Sequence, residues 1–105
     1  MLTVVIVNYN NWPDVRRLVS TLARAIEVSA GDAEVVVVDN DSQGPIPAEL
    51  HAAVSETATG VRLVVRDDNG GFAAGVNAGW HVARGRWLLV LNPDVVVSDH
   101  WLGAV

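Results

Sequence analysis

The sequence predicts an α/β fold: a mostly parallel sheet covered by helices on both faces. Three observations carry this. Four segments rich in β-branched and apolar residues, Leu2–Val7, Glu34–Val38, Val61–Val65 and Trp87–Leu91, read as strands. Helical patterns alternate with them, which is the order of a parallel sheet with right-handed crossovers. Each strand runs into a polar cluster: Asn8–Asn11, Asp39–Ser42, Arg66–Asn69 and Asn92–Asp94. In a parallel sheet all four clusters emerge on one edge, where ligands bind in open α/β sheets.

Taken in order, Leu2–Val7 (LTVVIV) is a first buried strand. Pro13 and Asp14 open a helix, because proline is preset for the first helical position and an acid there suits the helix dipole. Val15, Leu18, Val19, Leu22 and Ile26 recur at helical spacing and form its apolar face, and Gly31 is its stop. Glu34–Val38 (EVVVV) is the second strand, followed by a Gly- and Pro-containing loop over 43–47. Ala48–Thr57 is expected to form a short helix with Leu50 and Val54 facing inward, closed by Gly60. Val61–Val65 (VRLVV) is the third strand.

Phe72–Arg84 is expected to be a second long helix, with Phe72, Val76 and Ala83 on one face and Gly85 ending it. Glycine costs about 1 kcal/mol in a helix interior. Gly75 and Gly79, four apart, therefore imply a smooth ridge where backbone packs closely. Trp87–Leu91 is apolar at every position, as expected of a strand buried on both faces. Pro93 ends it, since proline cannot donate to the sheet ladder. Ser98-Asp99 is placed to cap a further helix. Trp80, Trp87 and Trp101 are expected in core or edge packing, and Trp12 either buried or against a ligand.

Composition narrows the function. At 105 residues the chain is one small domain. Half of its residues are hydrophobic, which argues against disorder. The formal charge is −5, with seven arginines and no lysine, so nucleic acid is not an expected partner. Cysteine is absent, which excludes disulfides, thiolate metal sites and a thiol nucleophile. No apolar run approaches the ~20 residues that span a bilayer, and Met1 leads into a strand, not a signal peptide. The expected compartment is cytoplasmic.

Asp39 and Asp41 can accept hydrogen bonds from a base or ribose. Alternatively, Asp39 only satisfies loop amides and Asp41-Ser42 makes a turn. Asp94 beside Asn92 offers hard oxygens suited to Mg²⁺ or Mn²⁺, with a diphosphate completing the shell. A plain Asn-Pro-Asp turn is the alternative, and spacing alone favours it. Gly70–Gly75 (GGFAAG) fails as a dinucleotide fingerprint, because Phe72 stands where glycine is needed and the segment follows the third strand. Asn77, mid-helix, reads on its own as a solvated residue. His51, His81 and His100 have no metal-ligand partner four residues on. Ser42 has no nearby histidine to make it a nucleophile.

Four stretches together resemble glycosyltransferase family 2, most nearly its rhamnosyltransferase-like branch. They are Val4–Asn10 (VVIVNYN), Val36–Ser42 (VVVDNDS), Asn69–Gly79 (NGGFAAGVNAG) and Leu89–Asp94 (LVLNPD). The resemblance implies a Rossmann-like, partial glycosyltransferase-A fold with strand order 3-2-1-4 that binds a nucleotide-diphosphate sugar, UDP- or dTDP-linked. By motif position, Asn8, Tyr9, Asn10 and Asp39 would hold base and ribose, and Asp41 would support that loop. Asn69, Gly71 and Asn77 would border nucleotide and sugar. Asn92-Pro93-Asp94 would stand where the family has Asp-x-Asp, with Asp94 on the metal and Asn92 replacing the first acid.

The implied reaction is inverting transfer to a hydroxyl of a glycan or lipid-linked acceptor in cell-envelope polysaccharide biosynthesis. The family's catalytic base is an acid well downstream of this motif, so no catalytic residue is expected among these 105. Residues 1–105 are therefore expected to be the donor-binding, amino-terminal part of a longer glycosyltransferase, inactive alone. The complete enzyme would work in the cytoplasm, at the inner face of the membrane where its acceptor is lipid-linked. The alternative is a non-catalytic nucleotide-binding module. With order 3-2-1-4 the apolar fourth strand lies at an exposed edge, which leads to an expectation of self-association.

Overall fold

A computed structural model describes residues 1–29, 32–48, 50 and 60–97. Its elements are β1 (Leu2–Asn8), α1 (Trp12–Ser29), β2 (Ala33–Asn40), β3 (Val61–Arg66), α2 (Phe72–Val82) and β4 (Trp87–Leu91). The strands form one parallel sheet in the order β3-β2-β1-β4. The parallel sheet, its order and the two long helices agree with the expectation from sequence. Expectations at Gly31, Val54, His51, His100, Ser98-Asp99 and Trp101, and for most of Ala48–Thr57, lie outside the described residues.

Side chains alternate across the pleat, so each strand serves two cores. Val4, Ile6, Val35, Val37 and Val61 face α1 and meet Val15, Leu18, Val19 and Leu22, with Leu50 joining them. Val5, Val7, Val36 and Val38 face the other way, where Val76, Ala78 and Val82 of α2 pack. That is why β1 and β2 are apolar at consecutive positions. Right-handed crossovers account for the two faces. The chain moves from β1 to β2 in one direction across the sheet and from β3 to β4 in the other, which places α1 and α2 on opposite sides.

The glycine ridge of α2 does what its spacing predicts. Gly75 and Gly79 are buried against β1. A Cβ on Gly75 would lie 2.6 Å from Val7 Cγ1, and one on Gly79 would lie 2.7 Å from Val5 Cγ1. The helix therefore rests on the two valines at a separation only glycine permits.

Several expectations are corrected. Phe72 is 54% exposed and turned away from the packed face, which consists of Gly75, Val76, Gly79 and Val82. Trp80 and Trp87 are outside the core, at 51% and 68% exposure. β4 is the edge strand that order 3-2-1-4 implied, and its residues beyond Trp87 are half-buried, so the burial on both faces suggested by the apolar run alone is corrected. An unbroken apolar run fixes strand character but cannot say how many neighbours the strand has. Helix α1 starts at Trp12, so Pro13 occupies its second position. α2 stops at Val82, before Arg84, because Ala83 is extended (φ −64°, ψ 137°) and the next two amides are taken by strand side chains. Arg84 N donates to Glu34 Oε2 at 2.6 Å, and Gly85 N donates to Thr3 Oγ1 at 2.9 Å.

Those two bonds belong to a polar latch across the amino ends of the strands. Thr3 Oγ1 donates to Glu34 Oε2 at 2.7 Å, and Arg62 Nη2 pairs with Glu34 Oε1 at 2.8 Å while also donating to Val82 O. Register places Thr3 beside Glu34 on the α2 face. Burial alone would push the Glu34 carboxyl up. The hydrogen bonds from Arg84 N, Thr3 and Arg62, with the guanidinium charge, outweigh burial and hold it below the ordinary glutamate value.

Candidate functional site

Strand order 3-2-1-4 reverses direction between β1 and β4, and such a switch point opens a crevice at the carboxyl ends of the strands. Register aligns Ile6 with Leu91, so the Asn8–Asn11 loop and the Asn92–Asp94 turn leave the sheet side by side. On the other side of β1, Asn8 pairs with Asp39 in register. Three of the four polar clusters thus meet around the end of β1.

The centre of this edge is a closed network. Asn8 is fully buried, and Asp39 is 3% exposed. Asn8 Nδ2 donates to Asp39 Oδ1 at 3.0 Å and to Ser42 Oγ at 3.3 Å. Asn8 Oδ1 accepts from Asn11 N at 3.1 Å, which steadies the approach to α1. Ser42 Oγ donates to Asp39 Oδ1 at 2.5 Å and accepts from Asn10 N at 2.8 Å. Ser42 N donates to Asp39 Oδ2 at 3.1 Å. Asn10, in the left-handed region at φ 54°, returns the link by accepting Gln43 N on Oδ1 at 2.7 Å. The β1 and β2 loops are therefore cross-tied through one serine.

A second tie holds the start of α2. Asn40, 2% exposed, donates from Nδ2 to Gly71 O at 3.0 Å and accepts Arg66 Nη1 at 2.8 Å. Arg66 also pairs with Asp68 at 2.9 Å. Gly71 at φ 92° makes the turn into the helix, and its N–H is received by Asn69 Oδ1 at 3.1 Å. At the far side, Val95 N donates to Asn92 O at 3.1 Å, closing a turn with Pro93 and Asp94 at its centre. Proline suits the first central position of such a turn.

The expected site residues fall into two groups. Asn8 and Asp39 are joined directly and Asn10 joins them through Ser42, while Gly71 and Asn69 are linked to the adjoining Asn40. Tyr9 (47% exposed), Asp41 (φ 60°), Asn92 and Asp94 stand exposed at the same edge. Asn77 lies exposed in the middle of α2 and is not tied into either network. Trp12 is 8% exposed in the α1 core, and its Nε1 has no partner.

Two central residues went unassigned from sequence. From sequence, Ser42 has a place only in a turn with Asp41 or as an unsupported nucleophile, and Asn40 only as part of a motif. For Asn40 the signal is register, since it ends β2 directly opposite Arg66 at the end of β3; Ser42 lies two residues beyond β2 and carries no such signal. With Ser42 closing the loop, Asp41 contributes no hydrogen bond to it among the described residues. Asp39 carries three internal bonds, which is the loop-satisfying role. It still leaves Oδ2 with acceptor capacity.

A metal at this edge would find Asp94 and Asn92. Among the described residues no three His, Cys, Asp or Glu side chains converge. A single exposed carboxylate beside an amide suits a hard divalent ion that keeps several waters and arrives with substrate phosphates, not one caged by protein. The residues fit an ion of that kind.

Fold and edge together define a parallel α/β domain with three polar loops gathered at the β1/β4 switch point. Residues 3–105 match the family described as Glycosyl transferase family 2, and the chain belongs to that family. It is 39% identical over 100 residues to Succinoglycan biosynthesis protein ExoO of Rhizobium meliloti (strain 1021), covering 91% of this chain and 26% of ExoO. It is 28% identical over 88 residues to Dolichol-phosphate mannosyltransferase of Mycosarcoma maydis, covering 84% of this chain and 30% of that protein. The chain thus spans less than a third of either relative.

Among solved structures, S. aureus TarS 1-349 superposes with a TM-score of 0.75 at 22% identity, over 98% of this chain and 30% of that one. The same protein has been solved with UDP-GlcNAc. The mannosyltransferase PcManGT of Pyrobaculum calidifontis, solved with GDP-Man and Mn²⁺, gives 0.72 at 23% identity, over 89% of this chain and 27% of that one. The sheet is the Rossmann-like part of the glycosyltransferase-A fold. No helix among the described residues is long and apolar enough to cross a membrane.

Proposed function

We propose that residues 1–105 are the donor-binding part of a nucleotide-sugar-dependent glycosyltransferase of the rhamnosyltransferase-like branch. The reaction is transfer of a sugar from a UDP- or dTDP-linked donor to a hydroxyl of a glycan or lipid-linked acceptor, with inversion. The observation that carries the reading is the convergence of the Asn8, Asp39 and Asn92 loops at the β1/β4 switch point. Family membership and neighbours solved with UDP-GlcNAc and GDP-Man support it.

In this reading the Ser42 network holds the β1 and β2 loops in fixed relation, so that the base meets a preorganised surface. The open acceptor position on Asp39 Oδ2 takes an N–H of the base, and exposed Tyr9 offers a face against it. Asn69 and Gly71 border the diphosphate and sugar from the start of α2, and Asn77 faces the sugar. Asp94, assisted by Asn92, holds a divalent ion brought in with the diphosphate. That ion, Mg²⁺ or Mn²⁺, offsets the charge of the departing diphosphate. Deprotonating the acceptor hydroxyl needs a base. No residue described here is assigned that role, and the base is placed downstream of Asp94, outside these 105 residues. The complete enzyme is placed in the cytoplasm, docking on the inner membrane face for a lipid-linked acceptor.

The exposed β4 edge has a consequence for the chain alone. Trp87–Leu91 carries neither charge nor proline, the usual devices that protect an edge. The isolated chain self-associates through it.

Isothermal titration with UDP and dTDP, each with and without Mn²⁺, tests the donor site. Binding that requires the metal and disappears in Asp94→Ala supports it. Absence of binding by a chain shown to be folded rejects a self-sufficient donor site. Binding without any metal or Asp94 dependence favours the second reading, a nucleotide-binding module without catalysis.

A further inference from the structure

Asn40 is the last residue of β2 and is buried. Its neighbour Asp39 points to the α1 side, into the network with Asn8 and Ser42. Side chains alternate across the pleat, so Asn40 points to the α2 side. There Nδ2 donates to Gly71 O at 3.0 Å while Oδ1 accepts from Arg66 Nη1 at 2.8 Å. Consecutive residues at one strand end thus hold two loops of the carboxyl edge, one on each face of the sheet.

The entry to α2 depends on this grip. No side chain caps the helix at Gly71. Gly70-Gly71, with Gly71 at φ 92°, is backbone of high intrinsic freedom. Gly71 O also accepts Gly75 N at 3.2 Å, so Asn40 holds the carbonyl from which the first turn of α2 is built. Asn40 can reach it because residue 75 is glycine: a Cβ there would stand 3.0 Å from Asn40 Nδ2. The two partners call for an amide, which offers a donor and an acceptor together. A carboxylate would keep Arg66 but meet Gly71 O acceptor to acceptor. Arg66 is itself paired with Asp68 at 2.9 Å, which steadies Asn40 Oδ1 and aims Nδ2 at Gly71.

We propose that Asn40 is a positioning residue for the donor diphosphate, setting the Asn69–Gly71 turn at a fixed distance from the loop that carries Asp39. The inference rests on the donor reading above, in which Asp39 meets the base and Asn69 and Gly71 border the diphosphate and sugar. Asn40 acts through Gly71 and touches no ligand. Releasing the turn therefore weakens the hold on the diphosphate and spares the base.

The test compares two variants of the ¹⁵N-labelled chain, each checked for folding by circular dichroism. Asn40→Asp keeps the acceptor for Arg66 and loses the donor to Gly71 O. Asn40→Leu has similar volume, loses both bonds and adds no charge. Without ligand, ¹H–¹⁵N heteronuclear NOEs should fall at Asn69–Ala73 in both variants and hold their wild-type values at Asn8–Asn11. With Mn²⁺, UDP affinity should fall about tenfold, as for one lost hydrogen bond, while uridine affinity stays within about twofold. A turn as rigid as wild type in either variant would overturn the role, and Asn40→Asp gives this reading even where Asn40→Leu does not fold. Equal losses for UDP and uridine would also overturn it, as would a loss in Asn40→Asp with none in a folded Asn40→Leu, which is the effect of added charge. Wild-type chain that is folded and binds no UDP rejects the donor reading and this role with it. Wild-type chain that binds UDP, with variants that bind it equally well, rejects the role of Asn40 alone.

Discussion

Replacing Gly75 by alanine tests how α2 is seated. Alanine is the better helix former by about 1 kcal/mol, so at a solvent-facing position the change would stabilise. Here the new methyl would stand 2.6 Å from Val7 Cγ1, 3.1 Å from Val7 Cγ2 and 3.0 Å from Asn40 Nδ2. Val7 is β-branched and stiff about χ1, so it cannot swing clear. Asn40 is held by Gly71 O and Arg66. Ordinary contact therefore requires the helix to lift by about 1 Å, and overpacking of this kind costs about 1–3 kcal/mol. The net expectation is destabilisation of about 1 kcal/mol, the middle of the range left when the propensity gain is set against overpacking. In equilibrium urea unfolding followed by circular dichroism, the midpoint should fall by about 1 M with unchanged slope. Ala73→Gly, exposed on the same helix, serves as the control and should cost about 1 kcal/mol from propensity alone. A midpoint that rises in Gly75→Ala would refute the close seating of α2 on β1.

Four further outcomes follow from the same contacts. Ser42→Ala removes the hydroxyl that binds Asp39 and Asn10 N; stability should drop by about 1–3 kcal/mol, while Ser42→Thr retains most of it in the same urea assay. Glu34 titrates below its ordinary value in the folded chain, so its contribution is present above about pH 4.3 and is lost as pH falls through the lower folded value. Glu34→Gln should flatten the acid limb of the stability curve, and an unchanged limb would disprove the latch as its source. Trp87→Lys, at a 68% exposed position on the edge strand, should reduce concentration-dependent association in analytical ultracentrifugation and leave stability within about 0.5 kcal/mol. Gly85→Ala would set a Cβ 2.6 Å from Thr3 N and 2.9 Å from Met1 O. Because both are backbone atoms that no rotamer change can move, its loss of thermal stability should exceed that of Gly75→Ala.

The strands, the apolar face of α1 and the glycine ridge of α2 were legible because each is a local pattern. Val15, Leu18, Val19 and Leu22 announce α1 by spacing, and VVIV and VVVV announce strands with two apolar faces. Gly75 and Gly79 even announced the contact they make, since two glycines in a helix have few other uses. The rest depends on register. Nothing in the local sequence pairs Asn8 with Asp39 and Ser42, more than thirty residues away, or Thr3 with Glu34 and Gly85. Only alignment of parallel strands sets these side by side. Trp87–Leu91 has the composition of a strand buried on both faces; only the strand order 3-2-1-4, which the family resemblance implied and the structure shows, puts it at an edge. Asp39 illustrates the limit for the site. Its place after a strand showed that it lies on the ligand edge, but only the structure shows both of its oxygens engaged by neighbours.

The central claim is that a nucleotide diphosphate binds where β1 and β4 diverge. Amide shifts in ¹H–¹⁵N spectra on titration with UDP and Mn²⁺ test it most directly. The account predicts shifts in the Asn8–Asn11, Asp39–Gln43, Asn69–Phe72 and Asn92–Val95 loops, with the amides of Thr3, Glu34, Arg62 and Arg84 unmoved. Shifts centred on those amino-end residues, or none at saturating nucleotide, would contradict it.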